Sequence, residues 1–97
     1  MKRIKSVLTS DMEHCYFTGS PVVERHHIFG GANRKRSERY GFVVPLRPDL
    51  HPNGVYFKRT PETAGIDRCL KQMAQFYFEQ HIGDRSTFIR EFGRSYL

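Results

Sequence analysis

Apolar and polar residues alternate in the first half of the chain in a way that predicts two short strands. Residues 22–28 are rich in β-branched types, and successive side chains of a strand point to opposite faces. The alternation assigns one face to Val23, Arg25 and His27 and the other to Val22, Glu24, His26 and Ile28. Gly30 and Gly31 break this strand. Residues 40–46 form a second apolar run, which Pro45 places at a sheet edge or a strand end.

In the second half, apolar residues recur at steps of three and four, the period of an α-helix. The stripe contains Ile66, Leu70, Met73, Tyr77 and His81, widened by Ala74, Phe78 and Ile82. It predicts a helix over 66–82, with Asp67 as its cap and Gly83 as its stop. A shorter helix is predicted between Asp84 and Gly93. Its inward face would hold Phe88, Ile89 and Phe92. We expect both helices to serve packing.

The remaining segments are assigned from turn residues and charge. Residues 15–17 predict a short strand followed by a turn, and residues 48–52 predict a short helix that residues 53–54 turn outward. Residues 32–39 are too charged for the core, so they predict a long loop or a solvated helical turn. Residues 1–13 lack a clear period, which favours a loosely held N-terminal arm.

Length and charge bound the class of protein. Ninety-seven residues suit one domain. Sixteen Lys and Arg against ten Asp and Glu give a net charge of +6, which favours a polyanion such as nucleic acid as partner. Cys15 and Cys69 are too few for a disulfide framework. No apolar run reaches the length of a membrane span or signal peptide. We therefore expect no membrane association and a cytoplasmic protein with reduced thiols.

Three histidines are the strongest candidates for chemistry. His26 and His27 are adjacent, and His51 follows 24 residues after the pair. Because strand alternation sends the two neighbours to opposite faces, one can hold a metal ion while the other acts as a base. The alternative is a surface pair, or one core histidine beside an exposed one. We interpret His14 and His81 as structural or exposed.

The order of strand, loop, strand and helix over residues 15–57 resembles the HNH endonucleases, the ββα-metal nucleases. The pair His26-His27, the strand ending at residues 43–46 and the downstream His51 carry the resemblance. Residues 37–41 and 92–97 look like a group of small HNH-type proteins encoded by bacteriophages. The resemblance implies an α+β fold, with a ββα-metal core, a short β-hairpin and two C-terminal packing helices. One domain, 1–97, would then comprise an arm (1–13), the HNH-like core (15–57) and a helical part (66–97).

The resemblance also implies roles for single residues. By the family's pattern, His27 is the general base, while His26 and His51 are metal ligands. The implied cofactor is one divalent ion, with Mg²⁺ preferred over Mn²⁺, Ni²⁺ or Zn²⁺. The implied reaction is hydrolysis of DNA phosphodiester bonds that leaves 5′ phosphates, inside a bacterial host cell.

Three departures from the family's pattern affect these expectations. The Asn that orients the base would fall at Phe42, so His27 needs another orienting group. The Cys-x-x-Cys pairs of a structural zinc site are missing, so no structural zinc is expected. A further ligand would fall at Val55, while Asn53 and Asp49 have the wrong spacing. The predicted metal site is therefore poor in protein ligands and completed by water, which suits Mg²⁺ better than zinc.

A run of basic side chains lies between the two predicted strands. Its members are Arg34, Lys35, Arg36 and Arg39. In the family's architecture this segment lies near the nucleic acid, so we expect contacts with phosphates. The alternative is an ordinary solvated face.

The leading hypothesis is a phage or prophage endonuclease. A rival from another class is a catalytically inactive HNH-fold module that binds nucleic acid or inhibits a host protein. A weaker third interpretation is a structural histidine–metal site. A second copy of the chain, or a phage or host protein, stays open as a further partner.

Overall fold

The computed structural model describes residues 5–52 and 54–97, which form two strands and three α-helices. In chain order these are β1 (Glu24–His27), α1 (Arg34–Tyr40), β2 (Val43–Leu46), α2 (Pro61–His81) and α3 (Arg85–Phe92). Short 3-10 turns occupy Gly31–Asn33 and Pro48–Leu50. The α+β class predicted from the sequence is confirmed. The HNH core within that class stays a prediction.

The two strands form an antiparallel hairpin whose register pairs His26 with Val44 and His27 with Val43. Every residue of β2 is buried. Pro45 lies within β2, and its carbonyl accepts a hydrogen bond from the Tyr16 amide at 2.9 Å. This side of the Pro45 backbone therefore faces away from β1. The hydrogen bonds between the two strands need no N–H from Pro45, so a proline is tolerated at this position. The expectation that Pro45 lies at a sheet edge is confirmed.

The charged segment between the strands is helix α1, so of the two expected forms, a long loop or a solvated helical turn, the helical one is found. One polar residue anchors it, because the buried Ser37 hydroxyl donates to the Phe29 carbonyl (2.8 Å) and accepts from the Phe29 amide (2.9 Å). Gly41 ends the helix in a left-handed conformation with φ of 76°. A β-carbon there would lie 2.6 Å from the Lys5 carbonyl, so only glycine fits.

The predicted strand over residues 15–17 is wrong, because these residues begin a tight turn. The Cys15 amide donates to the Ser20 carbonyl, and the Gly19 amide donates to the Cys15 carbonyl. Gly19 has a φ of 78°. The Cys15 backbone groups therefore bond within the turn. Among the described residues, the segment 15–17 keeps one backbone hydrogen bond to β2, from the Tyr16 amide, and one bond does not make a strand.

Helix α2 begins earlier than the periodicity predicted, at Pro61. Thr60 is its cap: the side chain accepts from the Thr63 amide at 3.1 Å, and Thr63 returns the bond in a capping box. Asp67 is therefore not the cap. It lies inside the helix and pairs with Lys71 at 2.9 Å. The apolar stripe missed the first turn because that turn is polar.

The C-terminal helices and β2 enclose an aromatic core, as expected for packing helices. Its fully buried rings belong to Phe42, Phe78 and Phe88, and Phe29 and Phe92 complete it. Asp84 caps α3 and Gly93 ends it, as predicted. Ile89, expected to face inward, is 39% exposed. Among the described residues, no helix is long and apolar enough to cross a membrane.

Candidate functional site

The candidate site is built on the two faces of β1. Arg25 and His27 turn toward α1, where both contact Glu38, while Glu24 and His26 turn toward His51. This is the division that strand alternation predicted. The two adjacent histidines therefore occupy different environments, although their backbone atoms are one residue apart.

On the first face, one carboxylate oxygen of Glu38 contacts both the guanidinium group of Arg25 and the imidazole of His27. Oε2 of Glu38 lies 2.9 Å from Nη2 of Arg25 and 3.2 Å from Nε2 of His27. Because an ionised carboxylate only accepts hydrogen bonds, Nε2 of His27 carries the proton of this pair. In a neutral ring, Nδ1 then keeps its lone pair and can accept a proton from water.

Burial, more than the surrounding charges, favours the neutral form of His27. Burial lowers the pKa of His27 first, and the positive charges of Arg34 and Arg25 lower it further, while Glu38 works in the opposite direction. Partial burial works against ionisation of Glu38, but Arg25 and His27 outweigh it and lower the pKa of that carboxyl. The pair therefore consists of a carboxylate and a neutral imidazole near neutral pH.

On the second face, His26 is the most deeply buried of the three candidate histidines, at 4% exposure. Its Nδ1 has no hydrogen-bond partner among the described residues. Burial lowers the pKa of His26 to about 3, helped by the charges of His51, His27 and Lys71. A buried polar atom without a partner costs stability. His26 is thus a buried, neutral imidazole, and its Nδ1 makes no hydrogen bond to the described residues.

His51 completes this face from the segment after β2. Its Nδ1 lies 2.7 Å from Oε1 of Glu24, and its ring packs edge-on against His26 with centroids 5.3 Å apart. The Glu24 carboxylate fixes the proton of His51 on Nδ1, which leaves the lone pair on Nε2.

The short helix predicted over residues 48–52 is a 3-10 turn, and His51 does not open an α-helix as the family resemblance implies. His51 ends the 3-10 turn at Pro48–Leu50 in an extended conformation, with φ of −86° and ψ of 112°. Pro52 follows it, and a residue before proline is disfavoured in the helical region. The next α-helix begins only at Pro61. Asn53, one of the substitute ligands considered above, lies outside the described residues.

A small cavity of about 280 Å³ connects the two faces. Its wall contains Arg25, His27, Gly30, Gly31, Arg34 and His51. Within the part of the chain that the structure describes, no carboxylate lines it. At both glycines a β-carbon would meet nothing within 4 Å, so the backbone is open to a ligand. Two guanidinium groups and an accessible backbone suit an anion such as a phosphate.

The donor chemistry around His26 partly fits a divalent metal ion. His26 and His51 place two imidazoles beside the carboxylate of Glu24, and Nδ1 of His26 lacks a hydrogen-bond partner among the described residues. However, over residues 5–52 and 54–97, no three His, Cys, Asp or Glu side chains converge as a ready ligand set. The ligand-poor, water-completed metal site expected from the sequence therefore stays a prediction.

The structure separates the four basic residues predicted to bind nucleic acid. Arg34 lines the cavity. Arg36 turns away, to Oδ1 of Asn33 at 3.1 Å and Oε2 of Glu91 at 3.4 Å. Lys35 and Arg39 are exposed on α1. Only Arg34 is brought to the histidines.

Sequence reasoning missed three residues of the site: Glu24, Arg25 and Glu38. The first two carried a signal, since each lies two positions before a histidine and so shares its strand face. Glu38 is the only acid within residues 32–39. A lone carboxylate in a run of cations is an expected partner for a nearby histidine or arginine.

Comparison of the chain with protein-family models, with curated proteins and with solved structures returns no match. The geometry of the site is an imidazole paired with a carboxylate and two guanidinium groups at one small opening, with His51 of the same opening packed against the buried His26.

Proposed function

We propose that this protein is a metal-dependent endonuclease of the HNH type that hydrolyses phosphodiester bonds of DNA. One observation carries the proposal: Glu38 holds His27 in the wall of a cavity that also contains Arg25, Arg34 and His51. A base, cationic groups for a phosphate and a histidine donor thus surround one opening of about 280 Å³. A phage or prophage origin and action in the host cytoplasm belong to this proposal.

In the proposed reaction, Nδ1 of the neutral His27 takes a proton from the attacking water. The Nε2–H bond to Glu38 fixes the ring and stabilises the imidazolium that forms. Glu38 thereby performs the orienting task that the family's pattern gives to an Asn at the position of Phe42. The Phe42 side chain is fully buried in the core and has no access to the site. Arg25 and Arg34 offset the negative charge of the phosphate.

His26 and His51 would hold the metal ion. When bound there, a divalent cation such as Mg²⁺ stabilises charge on the scissile phosphate and the leaving 3′ oxygen. The protein's own contribution is burial, which keeps His26 neutral, and the bond from Nδ1–H of His51 to Glu24, which leaves Nε2 of His51 to face the ion.

A plasmid-nicking assay with Mg²⁺ or Mn²⁺ tests the proposal. We expect the wild type to nick DNA only with the metal, and His27→Ala to lower the rate by roughly 10²–10⁴-fold, the usual contribution of a general base. His14→Ala is the matched control, because His14 is exposed and lies outside the site. Nicking that survives in His27→Ala at the wild-type rate, or that never occurs with either ion, refutes the nuclease.

A second candidate function is a catalytically inactive module that binds nucleic acid or inhibits a host protein. It is favoured by the lack of a ready three-ligand set among the described residues and by the extended backbone at His51. DNA binding without nicking in the same assay is the result that this alternative expects.

A further inference from the structure

A second basic surface lies outside the candidate site, along the first half of α2. It consists of two neighbouring depressions of about 400 and 410 Å³ that share Asp67 and Lys71. We call them together the α2 groove. Its charged side chains are Arg59, Asp67, Arg68, Lys71 and Arg94. Four cations against one carboxylate give these side chains a net charge of +3.

The C-terminal residues build one wall of the α2 groove. Gln72 Nε2 donates to the Tyr96 carbonyl at 3.0 Å, and the Tyr96 amide donates to the Gln75 side chain at 2.7 Å. Gln75 is fully buried, so this anchor is held by the core. The hydrogen bonds fix Arg94 and Tyr96 against α2, and the groove is therefore a formed surface.

Like charges are gathered in the groove. The Lys71 ammonium lies 5.4 Å from the Tyr96 ring centroid, and the Arg94 guanidinium lies 5.0 Å from the same ring. Arg68 and Arg59 are exposed nearby, and Asp67 offsets only Lys71. Cations concentrated on one surface attract a polyanion, and an aromatic ring among them is typical of surfaces that bind nucleic acid strands.

The α2 groove adjoins the candidate site. Pro52 lines one of its depressions, and His51, the preceding residue, lines the cavity that holds His27. Lys71 lies close enough for its charge to lower the pKa of His26. A chain of phosphates with one member in the cavity would therefore meet the groove next.

We infer that the α2 groove binds the nucleic acid strand beyond the scissile phosphate, through Arg59, Arg68, Lys71 and Arg94. The inference rests on the proposed function for the position of the cut, but binding to the groove needs no cleavage. It moves the expected phosphate contacts from Lys35, Arg36 and Arg39 of α1 to the α2 groove.

Fluorescence anisotropy with a labelled DNA oligonucleotide, as single strand and as duplex in EDTA, tests the inference. Arg68→Ala/Arg94→Ala removes two groove cations. Arg85→Ala/Arg90→Ala removes the same charge from α3, where both side chains are exposed. We expect the groove variant to weaken binding about 10-fold at 0.1 M salt and to flatten the slope of log affinity against log salt by about 1.5. The α3 variant should leave the slope unchanged.

Equal losses in the two variants, or a wild type that binds neither oligonucleotide, overturn the inference. Near-ultraviolet circular dichroism of each variant confirms that the fold is intact. If the groove variant binds and nicks like the wild type, the groove is refuted and the nuclease stands. If only the groove variant loses binding, while neither the wild type nor the variants nick plasmid DNA, the nuclease is refuted and binding by the groove stands. A preference for single strand over duplex identifies the form of DNA that the groove accepts.

Discussion

Each face of β1 carries one histidine, and the two histidines lie in different surroundings. His27 is half-buried, has its Nε2 on a carboxylate and lines a cavity with two arginines. His26 is almost fully buried, has an unpartnered Nδ1 among the described residues and faces another imidazole. Both have a lowered pKa, and burial is the first cause in each case. They differ in what surrounds the ring.

This difference assigns the two roles. A ring that a carboxylate fixes through one nitrogen can move a proton through the other. A ring that is buried and kept neutral offers a nitrogen lone pair to a metal ion. Without an ion, that buried nitrogen remains without a hydrogen-bond partner. The local partners, more than the lowered pKa values, therefore distinguish base from ligand.

Removing Glu38 should affect the His27 face alone. We expect Glu38→Ala to lower the nicking rate by about 10–100-fold, because His27 loses the partner that fixes its ring. Glu38→Gln should recover part of the rate, since its amide oxygen still accepts from Nε2–H. Glu13→Ala, which removes an exposed acid elsewhere, is the control. A rate unchanged in Glu38→Ala would remove Glu38 from the mechanism.

His26 should make the metal-free protein sensitive to acid. In the unfolded chain its imidazole takes up a proton near pH 6.5, but in the folded protein only near pH 3. This contribution to stability is therefore complete above pH 6.5 and is lost as the pH falls below it. Between about pH 7.5 and about pH 5 the loss is about 2 kcal/mol of the free energy of unfolding.

Urea unfolding in EDTA at the two pH values measures this loss. His26→Leu should lose about 2 kcal/mol less than the wild type over the same interval, since leucine does not titrate. His14→Leu, at an exposed position, should behave like the wild type. If His26→Leu loses as much as the wild type, His26 is not held neutral by burial.

The bond between α1 and the end of β1 supports the His27 face. Ser37→Ala leaves the Phe29 amide and carbonyl without their buried partner, so we expect a loss of about 1–2 kcal/mol in the free energy of unfolding. The nicking rate should fall as well, because α1 carries Glu38. Ser86→Ala, on the exposed side of α3, is the control and should change neither. A Ser37→Ala protein as stable as the control would show that other contacts fix α1.

The smallest effect concerns the unpartnered nitrogen of His26. In EDTA near neutral pH, we expect His26→Leu to gain about 1 kcal/mol of stability, because an apolar side chain removes the unsatisfied atom. Its nicking rate with Mg²⁺ should nevertheless fall. A destabilised His26→Leu would indicate that Nδ1 has a partner in solution.

Local patterns predicted much of the fold and half of the site. Strand alternation separated His26 from His27 correctly, and the stripe from Leu70 to Phe78 located the core of α2. These features depend on neighbours within a few residues. The polar first turn of α2 gave no apolar period, so it was not predicted. The run of cations in α1 gave none either, so a helical turn there was only one of two alternatives.

The partners of the site depend on contacts between segments far apart in sequence. Glu38 meets His27 across eleven residues and Glu24 meets His51 across 27, and no local pattern fixes such distances. The backbone at His51 follows a local rule, because a residue that precedes a proline is disfavoured in the helical region and Pro52 follows His51. The resemblance to the family gave the opposite expectation, a histidine at the start of a helix. A metal ligand at the start of a helix was therefore the wrong geometry for this chain.

The central claim is that Glu38 fixes His27 as a neutral base through its Nε2–H. The tautomer of His27 tests this claim. Nitrogen-15 NMR of histidine-labelled protein near pH 7.5 reports which ring nitrogen carries the proton. The account predicts a neutral His27 with its proton on Nε2 in the wild type, and loss of that fixed tautomer in Glu38→Ala. A His27 that is doubly protonated at this pH, or protonated on Nδ1 alone, would contradict the account.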